Sequence, residues 1–307
     1  MALKHYMPVF PGKVAALNFL FAVTSLLVLV TCTDWSLWII ALIECAYITA
    51  LAVLLHVHLL PAIFKVVLCS HGIGLVFAIG ALIAFSRQPY AYFGFYAMAL
   101  AFFHVSEYVV TATFNAHTLS IDSFLINHSW AYGIAAVSSW IEFWLEYYFF
   151  PGLKSLHLVS LIGLVMVVGG EALRKVSMFT AGSNFTHHVQ ERKRHGHTLV
   201  TNGVYALFRH PSYVGWFYWS IGTQVLLCNP ICLVAYTLAS WRFFDDRILD
   251  EELHLIQFFG DDYIQYKRRV GTGIPFIKGF PLEKIATSPF VYVPLKESPF
   301  VYVPHKE

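Results

Sequence analysis

The chain has 307 residues, of which 58% are hydrophobic, 17% aromatic and only 12% charged, and its mean hydropathy is +0.62. This composition excludes an ordinary soluble domain, and a net charge of +2 argues against a nucleic-acid-binding protein. We therefore predict an all-α, polytopic integral membrane protein. The five cysteines lie within or beside apolar segments, which favours packing over disulfides, and no His or Cys pair completes a metal site.

Apolar windows long enough, or nearly long enough, to cross a bilayer predict about eight transmembrane helices. The windows are 14–32, 35–55, 66–85, 91–113, 129–149, 155–173, 212–228 and 231–248. An even number of helices places both termini on the same side of the membrane. Nearly all Lys and Arg residues then lie on that side, and the positive-inside rule makes it cytosolic. Residues 1–13 lack a signal-peptidase site, so the first window is expected to insert the chain.

Three regions follow from the pattern. Residues 1–173 hold helices one to six, and residues 174–280 form a cofactor-binding and catalytic region that includes helices seven and eight. Residues 281–307 form an extended tail with a ten-residue tandem repeat that begins at Ser288 and whose origin the pattern does not reveal.

Several ionisable residues lie inside or near the predicted spans, where such groups are functional candidates. Glu44 is interpreted either as functional or as hydrogen-bonded to a neighbouring helix. His104 and Glu107 share a helix face and are interpreted as an interhelical polar pair, with a cavity lining as the alternative. Glu142 and Glu146 approach the outer boundary, and we expect a solvated interfacial position for them.

The sixth span and the polar segment after it are expected to shape the site. Gly163, Gly169 and Gly170 are predicted contact points between helices. Residues 171–179 keep a helical period and are expected to lie along the interface. Within the polar segment 174–211, residues 185–190 and 195–200 are then expected to cross the ends of the last two helices, which gives a polar lid.

The last two spans form a hairpin around the turn at Pro230. A helix rises about 1.5 Å per residue, so Pro211 and Glu251 each lie roughly 30 Å from that turn and end at the same depth. Pro211 is suited to the first helical turn, whose free backbone donors can bind a carboxylate or phosphate. An alternative interpretation is an interfacial salt-bridge network formed by Arg209, Asp245, Asp246, Arg247, Glu251 and Glu252.

Several motifs around this hairpin resemble the eukaryotic isoprenylcysteine carboxyl methyltransferase family. They are Gly203-Val204-Tyr205, Arg209-His210-Pro211-Ser212-Tyr213-Val214-Gly215, Glu251-Glu252, Phe259-Gly260 with Tyr263 and Tyr266, His197-Thr198-Leu199-Val200 and Gly273-Ile274-Pro275-Phe276-Ile277. The similarity is strong over most of residues 185–280. Phospholipid methyltransferases and sterol reductases carry related versions of the Arg-His-Pro motif.

The resemblance implies methyl transfer from S-adenosylmethionine to the terminal carboxylate of a farnesylated or geranylgeranylated cysteine at the endoplasmic reticulum membrane. It implies that prenylated C-a-a-X proteins, such as small GTPases, are partners together with membrane lipid. When the family's site residues are matched to this sequence, Arg247 would be the catalytic and substrate-binding residue and would hold the carboxylate. The cofactor contacts would be Gln190, His197, Thr198, Leu199, Val200, Tyr205, His210, Pro211, Ser212, Tyr213 and Glu251.

The residue chemistry is consistent with this reaction. A terminal carboxylate has a pKa near 3.5, so it is ionised at neutral pH and needs no general base. Catalysis then consists of desolvating and aiming a weak nucleophile. A lipid-soluble prenyl chain also predicts a lateral gap between helices.

Three alternatives remain at this point. An NADPH-dependent sterol reductase would need a larger groove, and the sequence has no Gly-rich phosphate motif. A phospholipid N-methyltransferase has an amine nucleophile, which leaves Arg247 without a role. A transporter or channel would distribute polar residues along several spans.

Overall fold

A computed structural model describes residues 10–33, 35–58, 61–86, 90–126 and 129–284. This part of the chain is all-helical, as predicted, and contains no strand. Its α-helices are α1 Phe10–Cys32, α2 Leu37–His58, α3 Pro61–Ala84, α4 Ala91–Phe114, α5 Trp130–Phe149, α6 His157–Ala181, α7 Pro211–Leu227, α8 Pro230–Phe259 and α9 Asp261–Arg269. The repeated tail from Ser288 lies outside the described residues.

Four stretches of the described chain are long and apolar enough to cross a bilayer, so the protein is a multi-pass membrane protein. They are Phe10–Cys32, Ile63–Ala84, Ala91–Phe114 and His157–Asn184. Helix α7, with 17 residues, is shorter, and α5 and α8 contain acidic residues. The count of eight transmembrane helices therefore stays a prediction.

Helices α6 and α8 are longer than the apolar windows predicted. The predicted interfacial segment 171–179 is the continuation of α6, which passes through the expected regional boundary at 173–174 and ends at Ala181. Helix α8 continues past 248 to Phe259 and carries Glu251 and Glu252 with it. Hydrophobicity marks only the lipid-embedded part of a helix, whereas backbone hydrogen bonding continues into the polar part. Helix α9 follows α8 directly, after the C-cap residue Gly260.

Close contact between α6 and α7 sets the position of the site. A Cβ on Gly170 would lie 2.6 Å from the carbonyl oxygen of Gly215, and a Cβ on Gly215 would lie equally close to the carbonyl of Gly170. Only glycine allows the two backbones to approach this closely. Gly163 also contacts α7, as expected, but Gly169 faces open space and was wrongly predicted as a contact point.

The turn between α7 and α8 is held by buried charges. Glu142 of α5 is buried and accepts hydrogen bonds of 2.7 Å from the backbone N–H groups of both Ile231 and Cys232 at the start of α8. Lys154 pairs with Glu146 at 2.6 Å and donates to the last carbonyls of α7. The expected solvated position of Glu142 and Glu146 was therefore wrong, because two helix ends meet there and leave backbone groups that need partners.

The other intramembrane polar groups bind neighbouring elements. Glu44 accepts a hydrogen bond from Ser25 at 2.9 Å and lies 3.2 Å from His71, which matches the second of its two interpretations. His104 contacts the carbonyl oxygen of Phe124 at 2.8 Å, whereas Glu107 faces α6. His104 and Glu107 thus make separate contacts to other elements.

Candidate active site

The α7–α8 hairpin brings the predicted polar residues together. Tyr213, in the first turn of α7, donates a hydrogen bond from its phenol to Glu251 of α8. Arg247, one turn before Glu251, donates from Nε to the same phenol oxygen at 3.1 Å. The His210 ring stacks on the Tyr213 ring at a centroid distance of 5.6 Å. The length argument for the hairpin is therefore confirmed.

A cavity lies over these helix ends, with an empty volume of about 850 Å³ that includes its open mouth. All of the predicted cofactor residues line it: Gln190, His197, Thr198, Leu199, Val200, Tyr205, His210, Pro211, Ser212, Tyr213 and Glu251. Arg247 lies behind Tyr213. The lining also includes Leu255, Phe258 and Phe259 of α8, which the sequence interpretation did not assign.

The lid over the cavity is tied to the end of α6. Asn184 accepts a hydrogen bond from the backbone N–H of Thr198 at 3.0 Å and donates to its hydroxyl at 3.2 Å. Gln190 donates to the carbonyl of His188 at 3.2 Å, within the same segment. Residues of both predicted lid stretches line the cavity together with the ends of α7 and α8, and the Asn184 side chain fixes the position of Thr198.

Two side chains outside the membrane-spanning segments have perturbed pKa values that keep them uncharged. Burial, together with the positive charges of Arg194 and Lys193, lowers the pKa of His197, so its ring is neutral at pH 7. Burial and the negative charge of Glu251 raise the pKa of Tyr205, so its phenol stays neutral. Both rings therefore line the cavity as uncharged groups.

A second charge cluster surrounds Glu252, whose side chain is 0% exposed. It pairs with Arg209 at 2.9 Å, with His210 at 3.2 Å and with Lys267. Burial alone would raise the pKa of Glu252, but the hydrogen bond from His210 and the nearby positive charges outweigh it and hold the pKa at about 2. The backbone N–H of Phe280 also donates to this carboxylate, which ties the C-terminal segment to α8.

The alternative interpretation, an interfacial salt-bridge network of six residues, therefore holds for only some of them. Arg209 and Glu252 form a buried structural pair, and Arg242 pairs with Asp246 at 2.9 Å on an exposed face of α8. Arg247 and Glu251 instead share Tyr213 beside the cavity. Arg247 and Glu251 are therefore free of both structural pairs and belong to the polar site.

An apolar cavity lies beside this site, between α4, α5, α7 and α8, with an empty volume of about 1330 Å³ that includes its open mouth. Ala131 and Ala239 line it and are exposed at the protein surface, so the predicted lateral gap has a counterpart here. Trp216 and Phe244 line its inner end, and the Phe244 ring lies 5.3 Å from the Tyr213 ring. Tyr213 and Phe244 therefore separate an apolar cavity from a polar one.

Comparison with known proteins identifies the family. A model of the isoprenylcysteine carboxyl methyltransferase (ICMT) family matches residues 161–257. The chain is 56% identical to protein-S-isoprenylcysteine O-methyltransferase of Xenopus laevis over 77% of this chain and 82% of that protein. It is also 56% identical to the Homo sapiens protein of the same name, over 77% of this chain and 84% of that protein. The chain belongs to the ICMT family.

A solved structure of a eukaryotic intramembrane Ras methyltransferase ICMT agrees with this membership. It covers 88% of the present chain and 99% of its own, with a TM-score of 0.83 and 46% sequence identity. The ICMT fold thus extends well beyond the matched residues 161–257. The sterol reductase and phospholipid methyltransferase alternatives are not favoured.

In this ICMT family member, the sequence interpretation named Glu107 but missed its partners near the site. Glu107 of α4 binds Arg174 and Lys175 of α6 and His187 of the lid. Arg174 in turn donates to the hydroxyl of Ser212 at 2.8 Å. The intramembrane position of Glu107 was the available signal, but its partners are distant in sequence and no periodicity connects them.

Proposed function

We propose that this ICMT family member transfers a methyl group from S-adenosylmethionine to the terminal carboxylate of a prenylated cysteine. The observation that carries the proposal is that Arg247, which lines neither cavity itself, lies next to a residue of each. It hydrogen-bonds Tyr213, which lines the polar cavity, and lies one turn after Phe244, which lines the apolar one. A carboxylate held there has its prenyl chain on the lipid side and the methyl donor on the aqueous side.

The polar cavity fits the methyl donor. Glu251 offers carboxylate oxygens for an ammonium group or ribose hydroxyls, and Tyr205 and Phe259 offer aromatic faces for an adenine or a cation. Nδ1 of His197 is buried without a hydrogen-bond partner among the described residues, and it lines this cavity. Such an atom needs a partner, which a bound polar molecule would supply.

The residues of the chain contribute orientation and desolvation. S-adenosylmethionine, when bound, supplies a methyl group activated by a sulfonium. Arg247 presents a planar guanidinium that can hold one carboxylate in a fixed geometry, and Tyr213 and the carbonyl oxygen of His187 fix that guanidinium. The aromatic wall of Trp216 and Phe244 excludes water from the acceptor. Because the carboxylate is already ionised, positioning carries most of the catalysis.

The proposal extends to the cellular setting. We place the enzyme in the endoplasmic reticulum membrane, with eight transmembrane helices and with the polar cavity facing the cytosol. Its acceptors are prenylated C-a-a-X proteins such as small GTPases. Support comes from the basic residues of the lid, including Arg192 and Lys193, because the positive-inside rule places such segments in the cytosol.

The test is incorporation of a labelled methyl group from S-adenosylmethionine by the purified full chain in lipid nanodiscs. We expect labelling of S-farnesylcysteine as a base-labile methyl ester and no labelling of phosphatidylethanolamine. Labelling of the phospholipid amine, or NADPH oxidation in the presence of a sterol, would assign one of the two alternatives instead. Absence of ester formation would contradict the proposal.

A further inference from the structure

Glu107 is a fully buried acid with an unusual set of partners. Its two oxygens accept hydrogen bonds from Nε and Nη2 of Arg174, at 2.6 Å and 2.8 Å. Lys175 donates to the first oxygen, and Nε2 of His187 donates to the second at 2.6 Å. The forked contact with Arg174 already neutralises and orients the carboxylate. His187 is therefore an additional partner, and it comes from the lid rather than from a neighbouring transmembrane helix.

His187 connects this acid to Arg247. While its ring binds Glu107, its backbone carbonyl accepts a hydrogen bond from Nη2 of Arg247. Nε of Arg247 is held by Tyr213 at 3.1 Å. With both contacts made, the guanidinium has one orientation, and Nη1 has no hydrogen-bond partner among the described residues. That nitrogen is left for an acceptor.

We propose that Glu107 is a positioning residue that sets the guanidinium of Arg247 through His187. The inference rests on the proposed function, because it concerns how Arg247 meets the carboxylate of the prenylcysteine. Glu107 is anchored on α4 by Arg174 and Lys175 and has no freedom to follow the lid. The hydrogen bond between the His187 ring and Glu107 therefore ties the lid to α4 and fixes the backbone carbonyl of His187. Without that bond, the loop would hold this carbonyl less rigidly.

The first test variant is His187→Phe, which removes the hydrogen bond to Glu107 but keeps an aromatic ring against Phe185, whose ring centroid lies 5.5 Å away. We expect the KM for S-farnesylcysteine to rise about tenfold, the magnitude for losing one hydrogen bond to a charged group. The dissociation constant of S-adenosylhomocysteine should change less than about twofold, because Glu107 and Arg174 stay paired. His187→Gln retains a side-chain N–H donor and should restore part of the loss.

The second variant is Glu107→Gln, with Glu44→Gln as its matched control. Both acids are buried in the helix bundle and both contact a histidine, but Glu44 contacts His71 in the α2–α3 region, away from the two cavities. Glu107→Gln should raise the KM for S-farnesylcysteine at least as much as His187→Phe does. Glu44→Gln should leave that KM unchanged. Thermal melting in detergent measures folding separately for every variant.

The possible outcomes distinguish failure of the positioning role of Glu107 from failure of the proposed methyl transfer. Wild-type enzyme that fails to esterify S-farnesylcysteine overturns the proposed function and, with it, this inference. Active wild type together with an unchanged KM in His187→Phe overturns only the inference. It is also overturned if His187→Gln is as impaired as His187→Phe, or if each loss of activity is matched by an equal loss of S-adenosylhomocysteine binding.

Discussion

The phenol of Tyr213 joins Glu251 and Arg247 across the α7–α8 hairpin. It donates to the carboxylate of Glu251 and accepts from Nε of Arg247 at 3.1 Å. One hydroxyl group therefore links the carboxylate of Glu251, which lines the polar cavity, to the guanidinium of Arg247, which follows Phe244 of the apolar cavity by one turn. The arrangement gives the two charged residues different surroundings, and we expect their variants to fail in different ways.

Glu251→Ala should abolish turnover chiefly by weakening binding of the methyl donor. The acid lines the polar cavity, and its loss removes the anionic group that would bind an ammonium or ribose hydroxyls. We expect the affinity for S-adenosylhomocysteine to fall by at least about tenfold, measured by calorimetry. Asp250→Ala changes an exposed neighbouring acid and serves as the control. Wild-type turnover in Glu251→Ala would remove its assignment to the cofactor.

Arg247→Ala should abolish turnover while S-adenosylhomocysteine still binds. The guanidinium is the group that orients the acceptor carboxylate in the proposed mechanism, and no other side chain supplies the same planar fork at that place. The measurement is labelled-methyl incorporation into S-farnesylcysteine. Arg242→Ala, which removes an exposed arginine on the same helix, should retain full activity. Turnover in Arg247→Ala close to that of Arg242→Ala would contradict the role.

Ala239→Phe should raise the KM for long prenyl chains. Ala239 lines the apolar cavity, so a phenyl group there occupies space available to the lipid. We expect a larger effect on S-geranylgeranylcysteine than on an acceptor with a short S-alkyl chain, in the same methylation assay. Ala235→Phe adds an equal group one turn earlier on α8, outside the cavity lining, and should leave both KM values unchanged. Equal effects of the two variants would place the prenyl chain elsewhere.

Gly170→Ala should destabilise the packing of α6 against α7. Its new Cβ would lie 2.6 Å from the carbonyl oxygen of Gly215, and backbone atoms cannot move aside as a flexible side chain could. We expect the free energy of unfolding to fall by about 1–3 kcal/mol, seen as a lower Tm in detergent. Gly169→Ala is a matched control, because its Cβ meets nothing within 4 Å, and it should be neutral or slightly stabilising.

The Glu252 cluster should make the stability of the fold depend on acid pH. The folded pKa of Glu252, about 2, lies below the ordinary value of 4.5, so the folded state favours the ionised carboxylate. The ionised carboxylate contributes about 3 kcal/mol to the free energy of unfolding. This contribution is complete above pH 4.5 and is lost as the pH falls toward 2. Thermal melts across this window should show a shallower decline in Glu252→Gln than in the wild type. Equal slopes would contradict the pairing.

Much of the architecture was predictable because lipid imposes strong constraints on a sequence. Long apolar windows located the long helices of the described chain to within a few residues at most ends, and Pro211 and Pro230 marked the starts of α7 and α8. Because Pro211 and Glu251 lie at equal distances from the turn at Pro230, Tyr213 was expected to lie beside Glu251. These inferences hold because helix rise and the cost of an unsatisfied backbone in lipid depend little on the rest of the fold.

The motifs by themselves determined that this is an all-α membrane protein with a polar site at the end of its last hairpin. Only the tertiary structure decided that Glu142 holds the start of α8, that Glu252 anchors the C-terminal segment and that Glu107 reaches the lid through His187. Each of these carboxylates is partnered by groups distant in the chain. Helical periodicity reports which face of a helix is apolar, but the partner of a buried charge depends on which helices meet, and that is set by packing such as the contact between Gly170 and Gly215.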